Sequence, residues 1–234
     1  MRTLTRIFII ALFSIIIMDA SGQNVGFKVA SSWTNAKLTP SDDGLDRKAQ
    51  VAPKLGFIFE MPVYKGLFLQ TGLYASLSGY RYKDTVSFTN DEGSTYDIES
   101  KNKYILLYLD LPVNFGYKHA VSDELSIFGM AGPVFRYLTY STYAYQINGE
   151  WDNESTDFGE GDDKVEFFNK FDIGLNIEAG VQYDRFEFSI YYMPSFSNIM
   201  SDDIQKLAES GASWKNYSFG VGFAVLLGDI KKGK

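Results

Sequence analysis

Large apolar residues occupy every second position in the last regular stretch of the chain. In the segment Tyr217 to Gly228, YSFGVGFAVLLG, alternate positions hold Tyr, Phe, Val, Phe, Val and Leu, and small residues fill all but one of the positions between them. An alternation with a period of two predicts a β-strand with two different faces. The small face consists of Ser, Gly and Ala, without the charged residues that a water-facing strand normally carries. The pattern therefore raises the question of which medium each face contacts.

Seven earlier segments, each of about ten residues, repeat this alternation. In the sixth segment Ile173, Ile177 and Val181 share one face, and Asp172 and Glu178 share the other. The fifth segment is less regular and has apolar residues on both faces. Strands that are apolar outside and polar or small inside are typical of transmembrane β-barrels. The eight strands are predicted to begin near Val25, Leu55, Leu67, Leu107, Leu125, Ile173, Phe186 and Tyr217.

Short and long connections alternate between these segments. Outer-membrane barrels have short periplasmic turns and long extracellular loops, and an even strand count places both termini in the periplasm. The sequence therefore predicts an all-β fold, an eight-stranded antiparallel up-and-down transmembrane β-barrel. Its short periplasmic turns are predicted at residues 62–66, 118–124 and 184–185, and its four long extracellular loops at 33–49, 83–102, 144–166 and 197–216.

The N-terminal residues have the organisation of a secretory signal peptide. Two arginines, Arg2 and Arg6, precede a short apolar run and then three small residues. The run is too short to span a membrane comfortably, although an uncleaved N-terminal anchor is an alternative. We predict a signal peptide at residues 1–22, cleavage near Gly22/Gln23, one outer-membrane β-barrel domain at residues 23–234, and an outer-membrane location.

Composition excludes several classes of function. The chain has no Cys, which excludes disulfides, thiolate metal sites and cysteine nucleophiles. Its net charge of −7 and pI near 4.8 argue against nucleic-acid binding, which needs a basic surface.

Aromatic residues at the segment ends help to distinguish the membrane barrel from its main structural alternative. That alternative is a soluble lipocalin-like barrel, which would enclose its apolar face and expose charges to water. Membrane barrels instead carry girdles of aromatic residues at both interfaces. The predicted girdle residues are Trp33, Tyr80, Tyr82, Tyr137, Tyr140, Trp214 and Tyr217 on the extracellular side, and Tyr64, Tyr117 and Tyr183 on the periplasmic side.

Two motifs resemble a known family. The stretch YLDLPVNFGYK, residues 108–118, resembles the Y-L-[DE]-[IL]-P-x-x-x-x-Y-[KR] strand of the PorT-like outer-membrane β-barrel family of Bacteroidota, which belongs to the wider group of porin-family barrels. GMAGPVFRYL, residues 129–138, is similar to the Gly-rich fifth strand of that family. The resemblance implies a small eight-stranded outer-membrane barrel. The family takes its name from a protein of the type IX secretion and gliding apparatus, so the resemblance raises an accessory role in such an apparatus as an expectation.

Charged residues occupy several inward positions of the predicted barrel. Eight strands enclose a lumen that their own side chains just fill, so inward charges must find partners or water. One interpretation is a narrow proton or ion path, and the other, which the barrel width favours, is a structural network. The predicted lumen charges are Lys28, Lys54, Glu60, Asp110, Arg136, Glu178 and Glu187.

Two further sets of residues carry side chains of the types used in metal binding and catalysis. Acidic residues crowd the segment 150–163, but their spacing does not match an EF-hand, so a solvated loop is the alternative to a divalent-cation site. His119 lies near Ser122 and Asp123 in a predicted turn, where a catalytic triad would lack an oxyanion hole. No catalytic residue, metal site or cofactor is therefore predicted.

The sequence predicts a non-enzymatic integral outer-membrane protein whose extracellular loops bind a surface or partner molecule. A more specific version is an accessory of a secretion or gliding complex. The alternatives are an outer-membrane lipid-modifying enzyme and a soluble ligand-binding barrel. The expected partners are outer-membrane lipid or lipopolysaccharide, and other outer-membrane or secretion-system proteins, but not nucleic acid.

Overall fold

The structure is a computed structural model that describes six stretches of the chain. The predicted signal peptide lies outside the described residues, and so do Glu160, Asp162 and Asp163 of the acidic segment. The described stretches are residues 24–39, 46–89, 95–147, 150–157, 166–207 and 211–227.

Antiparallel strands dominate these stretches. Within them no helix is long and apolar enough to cross a membrane. The strands are β1 (Asn24–Thr39), β2 (Asp46–Lys48), β3 (Gln50–Tyr64), β4 (Leu67–Ser78), β5 (Arg81–Thr89), β6 (Thr95–Ala120), β7 (Leu125–Ile147), β8 (Glu150–Ser155), β9 (Phe171–Tyr183), β10 (Phe186–Pro194) and β11 (Ser213–Leu226), and the helix α1 spans Asp202–Leu207.

Eight of the strands close into a ring. The ring order is β1, β3, β4, β6, β7, β9, β10 and β11. It closes where β11 pairs with β1, from Gly26 opposite Leu226 to Thr39 opposite Ser213. Closure leaves no unpaired edge at membrane depth, which is the condition for β-strands to cross a bilayer. The predicted eight-stranded antiparallel barrel is confirmed.

The alternation along each strand separates an apolar outer surface from a polar interior. On β1, Phe27 is 41% exposed, whereas the neighbouring Lys28 is 5% exposed. The same phase holds on β10, where Phe188 is exposed and Glu187 is buried. An outer surface of Val, Leu, Ile and Phe suits hydrocarbon, and the inverted arrangement of a soluble lipocalin-like barrel is not observed. The predicted orientation of the two faces is confirmed.

The periplasmic connections are as short as predicted or shorter. Tyr183 pairs with Phe186 across the two-residue turn at 184–185, as the sequence predicts. Strand β3 runs on to Tyr64, so only Lys65 and Gly66 remain in the turn that was predicted at 62–66. Both residues have positive φ, 44° and 86°, as the central residues of a type I′ hairpin require.

Three of the predicted long loops contain long stretches of strand. The region 33–49 contains the end of β1 and all of β2. The region 83–102 contains β5 and the start of β6, and the region 144–166 contains the end of β7 and all of β8. These strands extend the barrel wall beyond the lipid-facing rows, in the pairings β2–β5, β5–β6, β6–β7 and β7–β8. Outside the membrane neither face of a strand has to be apolar, and the apolar alternation is interrupted there, for example by Asp84 between Tyr82 and Val86 on β5. The predicted long connections are present on this side of the barrel, but in the described residues they are largely paired strand and not irregular loop.

Candidate functional site

The centre of the barrel interior holds a charge network around Arg136. Asp110, Arg136 and Asp172 are directly opposite one another on β6, β7 and β9, so the strand register brings them together. The Arg136 Nε donates to Asp110 Oδ1 at 3.1 Å, and its Nη1 donates to Asp172 Oδ2 at 3.2 Å. The Ser195 hydroxyl also donates to Asp172. The guanidinium lies 4.0 Å from the centre of the Tyr108 ring.

A second part of the interior network joins two lysines to carboxylates from other strands. The Lys28 ammonium donates to Glu178, and the Lys54 Nζ lies 3.4 Å from Asp110 Oδ2. Lys54 also lies over the Tyr74 ring, 4.6 Å from its centre. A cavity of about 10 Å³ lies among these side chains, which is room for about one water molecule.

The third charge cluster lies toward the periplasmic end. The Lys118 Nζ is 2.8 Å from Glu60 Oε1 and 3.3 Å from Glu187 Oε1. The Asn24 side chain adds a donor to Glu60 at 3.4 Å. Phe68 packs under the same ammonium, 5.1 Å from ring centre to Nζ. The Lys118 ammonium therefore forms ion pairs with two buried carboxylates, Glu60 and Glu187.

The structure places all seven predicted lumen charges in the interior, and each has an oppositely charged neighbour there. Two members of the network were missing from the predicted set, Lys118 and Asp172. Asp172 lies in the inward row of its strand, so the alternation could have found it. The sequence predicts a turn at Lys118, because it does not show that β6 continues to Ala120.

An aromatic cluster fills the extracellular mouth of the barrel. Trp214 lies at its centre, with ring centres 4.9 Å from Tyr80, 4.9 Å from Tyr104 and 5.0 Å from Phe168. The Trp214 indole N–H donates to Asn216 Oδ1 at 2.9 Å, so its one polar atom is satisfied. The mouth cluster is defined here by its buried members Ala36, Tyr80, Leu106, Tyr108, Leu138, Phe168, Ile199 and Trp214.

Residues that follow β8 and β10 fold into the mouth and help to close it. Phe168 forms a β-bridge with Met200. The Asn169 side chain donates to the carbonyl oxygens of Asn198 and Met200, at 3.2 and 2.8 Å. The start of the predicted loop 197–216 is therefore packed on the barrel and contributes Ile199 to its core.

Tyrosine side chains extend the row of inward-facing residues beyond the mouth cluster, on its extracellular side. The Tyr143 hydroxyl donates to Asn102 Oδ1 at 2.6 Å and lies 3.2 Å from the Tyr82 hydroxyl. Burial, with a smaller effect of Tyr143, raises the pKa of Tyr104 to about 12. Burial and then the hydrogen bond with Tyr143 also raise the pKa of Tyr82. Both phenols therefore stay neutral at any physiological pH.

A sequence model of the family "outer membrane protein beta-barrel domain" matches residues 19–201. The chain belongs to this family. Its location is accordingly the outer membrane. A search of curated proteins finds no match to this sequence.

Several solved outer-membrane barrels are similar to this family member. Neisserial surface protein A is 10% identical, with 87% of this chain and 98% of that chain covered and a TM-score of 0.37. Ail of Yersinia pestis, in complex with the heparin analogue sucrose octasulfate, is 13% identical, with 87% and 99% covered and a TM-score of 0.32. OprG of Pseudomonas aeruginosa is 14% identical, with 89% and 97% covered and a TM-score of 0.34.

The predicted girdle residues of this outer-membrane barrel fall into two groups. Tyr80 and Trp214 are each 3% exposed and Tyr82 is half-buried, so these three are interior residues, contrary to the prediction. Tyr82 and Trp214 occupy even-numbered positions on strands whose inward residues are even-numbered, and Tyr80 lies between β4 and β5 with the same phase. The strand phase therefore turns them into the barrel. The others lie exposed on the outer surface, namely Trp33, Tyr64, Tyr117, Tyr137, Tyr140, Tyr183 and Tyr217.

His119 lies at the end of a strand, and Ser122 and Asp123 lie in the turn that follows it. His119 lies on β6 opposite Ile127 and is exposed, so it is not in the turn where the sequence placed it. The Ser122 Oγ accepts hydrogen bonds from the backbone N–H groups of Glu124 and Leu125, at 3.4 and 3.1 Å. Ser122 thus caps the connection between β6 and β7.

Part of the acidic segment lies on β8. There Asp152 and Glu154 each accept a hydrogen bond from the Tyr145 hydroxyl, at 3.2 Å. Among the residues that the structure describes, no group of three or more His, Asp or Glu side chains has a metal-binding arrangement.

Proposed function

We propose that this outer-membrane barrel is a non-enzymatic recognition protein, anchored by a closed barrel, whose extracellular extension binds a surface or partner molecule. The observation that carries the proposal is the continuation of strands β5 to β8 beyond the lipid-facing rows. A barrel whose only task was to occupy the membrane would not need a paired sheet there. Binding residues are often displayed at the ends of such a rigid scaffold.

The surface chemistry of the extension supports recognition. The exposed side chains of β8 include Glu150, Trp151 and Asp152, and β7 places Tyr145 beside them. Tyrosine and tryptophan bury a large contact area at a small cost in side-chain entropy, and carboxylates add directional acceptors. The Lys103 ammonium lies 4.3 Å from the centre of the Trp151 ring, which places a cation beside the acidic strand.

A filled lumen supports an anchoring role for the barrel. The interior charges are paired, the central cavity measures about 10 Å³, and the mouth is packed with aromatic rings. An eight-stranded barrel has no spare width for a solute once its own side chains occupy it.

The purified protein in planar lipid bilayers is expected to give no stepwise ionic current, because the network and the mouth cluster block the lumen in series. A diffusion porin inserted under the same conditions is the positive control. Insertion is verified separately by the different gel mobilities of heated and unheated samples. Regular unitary currents from the folded protein would contradict a closed lumen.

Shortened extracellular hairpins are expected to fold but to lose the partner. One variant replaces residues 84–100 by Asn-Gly between the paired Lys83 and Lys101, and the other replaces residues 145–152 by Asn-Gly between the paired Ala144 and Asn153. Cross-linking in intact cells followed by purification measures the partner. We expect its recovery to fall by about tenfold or more, as loss of a binding hot spot would cause.

The matched control shortens a connection on the opposite side of the membrane. Residues 121–125 are replaced by Asn-Gly between Ala120 and Ser126, which are paired at the end of the β6–β7 hairpin. This variant is expected to retain the partner. Equal recovery from all variants would count against recognition by the extension.

Three finer assignments belong to the same proposal. We propose that the protein is a PorT-like member of its family, on the motifs at residues 108–118 and 129–138. Co-purification with secretion or gliding components would support an accessory role. Cleavage near Gly22/Gln23 is expected, and N-terminal sequencing of the membrane-inserted protein checks it.

A further inference from the structure

The charges of the barrel interior do not balance at its periplasmic end. In the rest of the described network the cations and carboxylates are equal in number, and these residues are Lys28, Lys54, Arg136, Asp110, Asp172 and Glu178. At the periplasmic end the Lys118 Nζ lies 2.8 Å from Glu60 Oε1 and 3.3 Å from Glu187 Oε1. Asn24 and Gln70 also donate to Glu60, but their amides are neutral. One ammonium and two carboxylates therefore leave one negative charge without a counter-charge among the described residues.

These two carboxylates lie in surroundings that solvate charge poorly. Glu60 is 4% exposed and Glu187 is 3% exposed. The Phe68 and Phe128 rings lie beside the Lys118 ammonium, with their centres 5.1 and 5.8 Å from its Nζ. An ionised carboxylate that is buried without a counter-charge is strongly destabilising. A second positive charge beside Glu60 and Glu187 would remove this cost.

Two buried amide oxygens beside the carboxylates have no hydrogen-bond donor among the described residues. They are Asn24 Oδ1 and Gln182 Oε1, and the two residues are buried. The Asn24 nitrogen donates to Glu60 Oε1 at 3.4 Å, so the oxygen on the same carbon atom also lies beside that carboxylate. Gln182 is directly opposite Glu187 in the pairing of β9 and β10. Buried polar atoms are nearly always paired in folded proteins, so two unpaired oxygens in one place indicate a ligand.

The orientation of both amides is set by the groups that their nitrogen atoms contact. The Asn24 nitrogen faces Glu60, because an ionised carboxylate can only accept hydrogen bonds. The Gln182 nitrogen donates to the backbone carbonyl oxygen of Asp184 at 2.7 Å, and a carbonyl oxygen can also only accept. Exchanging the nitrogen and oxygen of either amide would place oxygen against oxygen. The two unpaired atoms are therefore acceptors and not donors.

Four side chains here offer oxygen ligands of the kind that hard metal cations prefer, and Asn24, Glu60, Gln182 and Glu187 are called the periplasmic oxygen cluster. Carbonyl and carboxylate oxygens can replace the water shell of such an ion. A proton on one carboxyl group would cancel the charge, but it would give a donor to only one acceptor. A divalent cation would leave an excess positive charge beside the Lys118 ammonium. A monovalent metal cation matches both the charge and the unpaired oxygens.

We propose that the periplasmic oxygen cluster binds one monovalent metal cation, for which sodium is the probe. The bound ion neutralises the remaining negative charge and connects β1, β3, β9 and β10, which supply the four residues. The mouth cluster and the rest of the charge network close the lumen above it, so the ion is held in place and does not pass through the barrel. The inference concerns the interior and is independent of the partner recognition proposed above.

The test compares E187Q with E124Q, which each replace one glutamate at the periplasmic end by its neutral isostere. Glu124 is exposed in the turn between β6 and β7 and accepts a hydrogen bond from the Tyr183 hydroxyl, which glutamine can also accept. Urea unfolding of the full-length protein in lipopolysaccharide-free detergent is measured in sodium chloride and in choline chloride at equal ionic strength. Choline is too large for side-chain oxygens to coordinate, and a ligand that binds only the folded protein stabilises it. We expect sodium to raise the unfolding midpoint of the wild type and E124Q but not of E187Q.

Stability without sodium tests the charge balance. In choline chloride E187Q should be at least as stable as the wild type, because the substitution removes the uncompensated charge. A marked loss of stability in E187Q would contradict the proposal, since it would show that Lys118 already compensates both carboxylates. Equal midpoints of the wild type in sodium and choline would overturn it in favour of a shared proton. Calcium chloride that stabilises the wild type more than sodium chloride does would identify a divalent-cation site and would also overturn it.

Sodium NMR titration of the full-length protein measures the dissociation constant directly. We expect this constant to rise about tenfold or more for E187Q and to stay within about twofold for E124Q. Q182M removes one unpaired oxygen without changing the charge, and it should raise the constant by about threefold or more. Unchanged sodium affinity in both E187Q and Q182M would show that sodium binds elsewhere and would overturn the proposal.

Discussion

Replacing Arg136 by Met is expected to lower the free energy of unfolding by about 3–5 kcal/mol, the usual cost of removing one partner from a buried ion pair. Met fills a similar volume, so the loss reflects charge more than a cavity. Asp110 is fully buried and Asp172 nearly so, and Arg136 contacts both carboxylates. Without the guanidinium, Asp172 retains the Ser195 hydroxyl but no cation among the described contacts. Urea titration of the protein refolded in lipid vesicles measures the change.

A second substitution separates charge balance from packing. Adding D172N to R136M leaves Asp110 with Lys54, whose Nζ lies 3.4 Å away. The double variant should therefore recover a large part of the lost stability, and the double-mutant cycle gives the coupling energy directly. R185M is the matched control, because Arg185 lies in an exposed turn 3.7 Å from Asp184, where an ion pair contributes about 1 kcal/mol or less. Equal effects of R136M and R185M would show that the interior network does not stabilise the barrel.

The membrane-spanning part of the fold could be predicted because the bilayer imposes a strict rule on it. Each strand must alternate between hydrocarbon and a crowded lumen, and this rule is visible as the period-two rows that contain Phe27 and Phe188. The same rule places Lys28, Asp110 and Glu178 in the interior, but it does not identify their partners. Alternation fixes the face of a side chain but not its neighbour, since neighbours depend on strand register and barrel closure.

The extracellular side could not be predicted in the same way. On β5 the apolar row of Tyr82, Val86 and Phe88 is interrupted by Asp84, and β8 has no apolar row, so both sequences resemble loops. The closure of the mouth depends on contacts such as Phe168 with Trp214, which are distant in sequence and carry no local pattern. The wrong assignment of Trp214 to the aromatic girdle has a different cause. The alternation of β11 already places Trp214 in the inward row of that strand.

The two tryptophans that the sequence assigned to one girdle allow a direct test of the mouth cluster. Trp33 and Trp214 both lie toward the extracellular end, but Trp33 is 48% exposed on the outer surface and Trp214 is 3% exposed in the interior. Trp33 stacks on Phe219, with ring centres 6.3 Å apart. Trp214 makes ring contacts with Tyr80, Tyr104, Phe167 and Phe168, and it donates its N–H to Asn216.

Trp214→Ala is expected to lower the free energy of unfolding by about 3–5 kcal/mol, as large-to-small changes in packed cores do. Trp33→Ala should lower it by about 1 kcal/mol, the contribution of one aromatic pair at a surface. The folded and unfolded forms are separated by gel mobility after urea titration, so the readout does not depend on tryptophan fluorescence. Because the charge network lies below the cluster, Trp214→Ala should still pass no ionic current. Equal losses of stability in the two variants would show that the mouth is not a packed core. An ionic current through Trp214→Ala would show that the mouth cluster, and not the charge network, is the main barrier to ions.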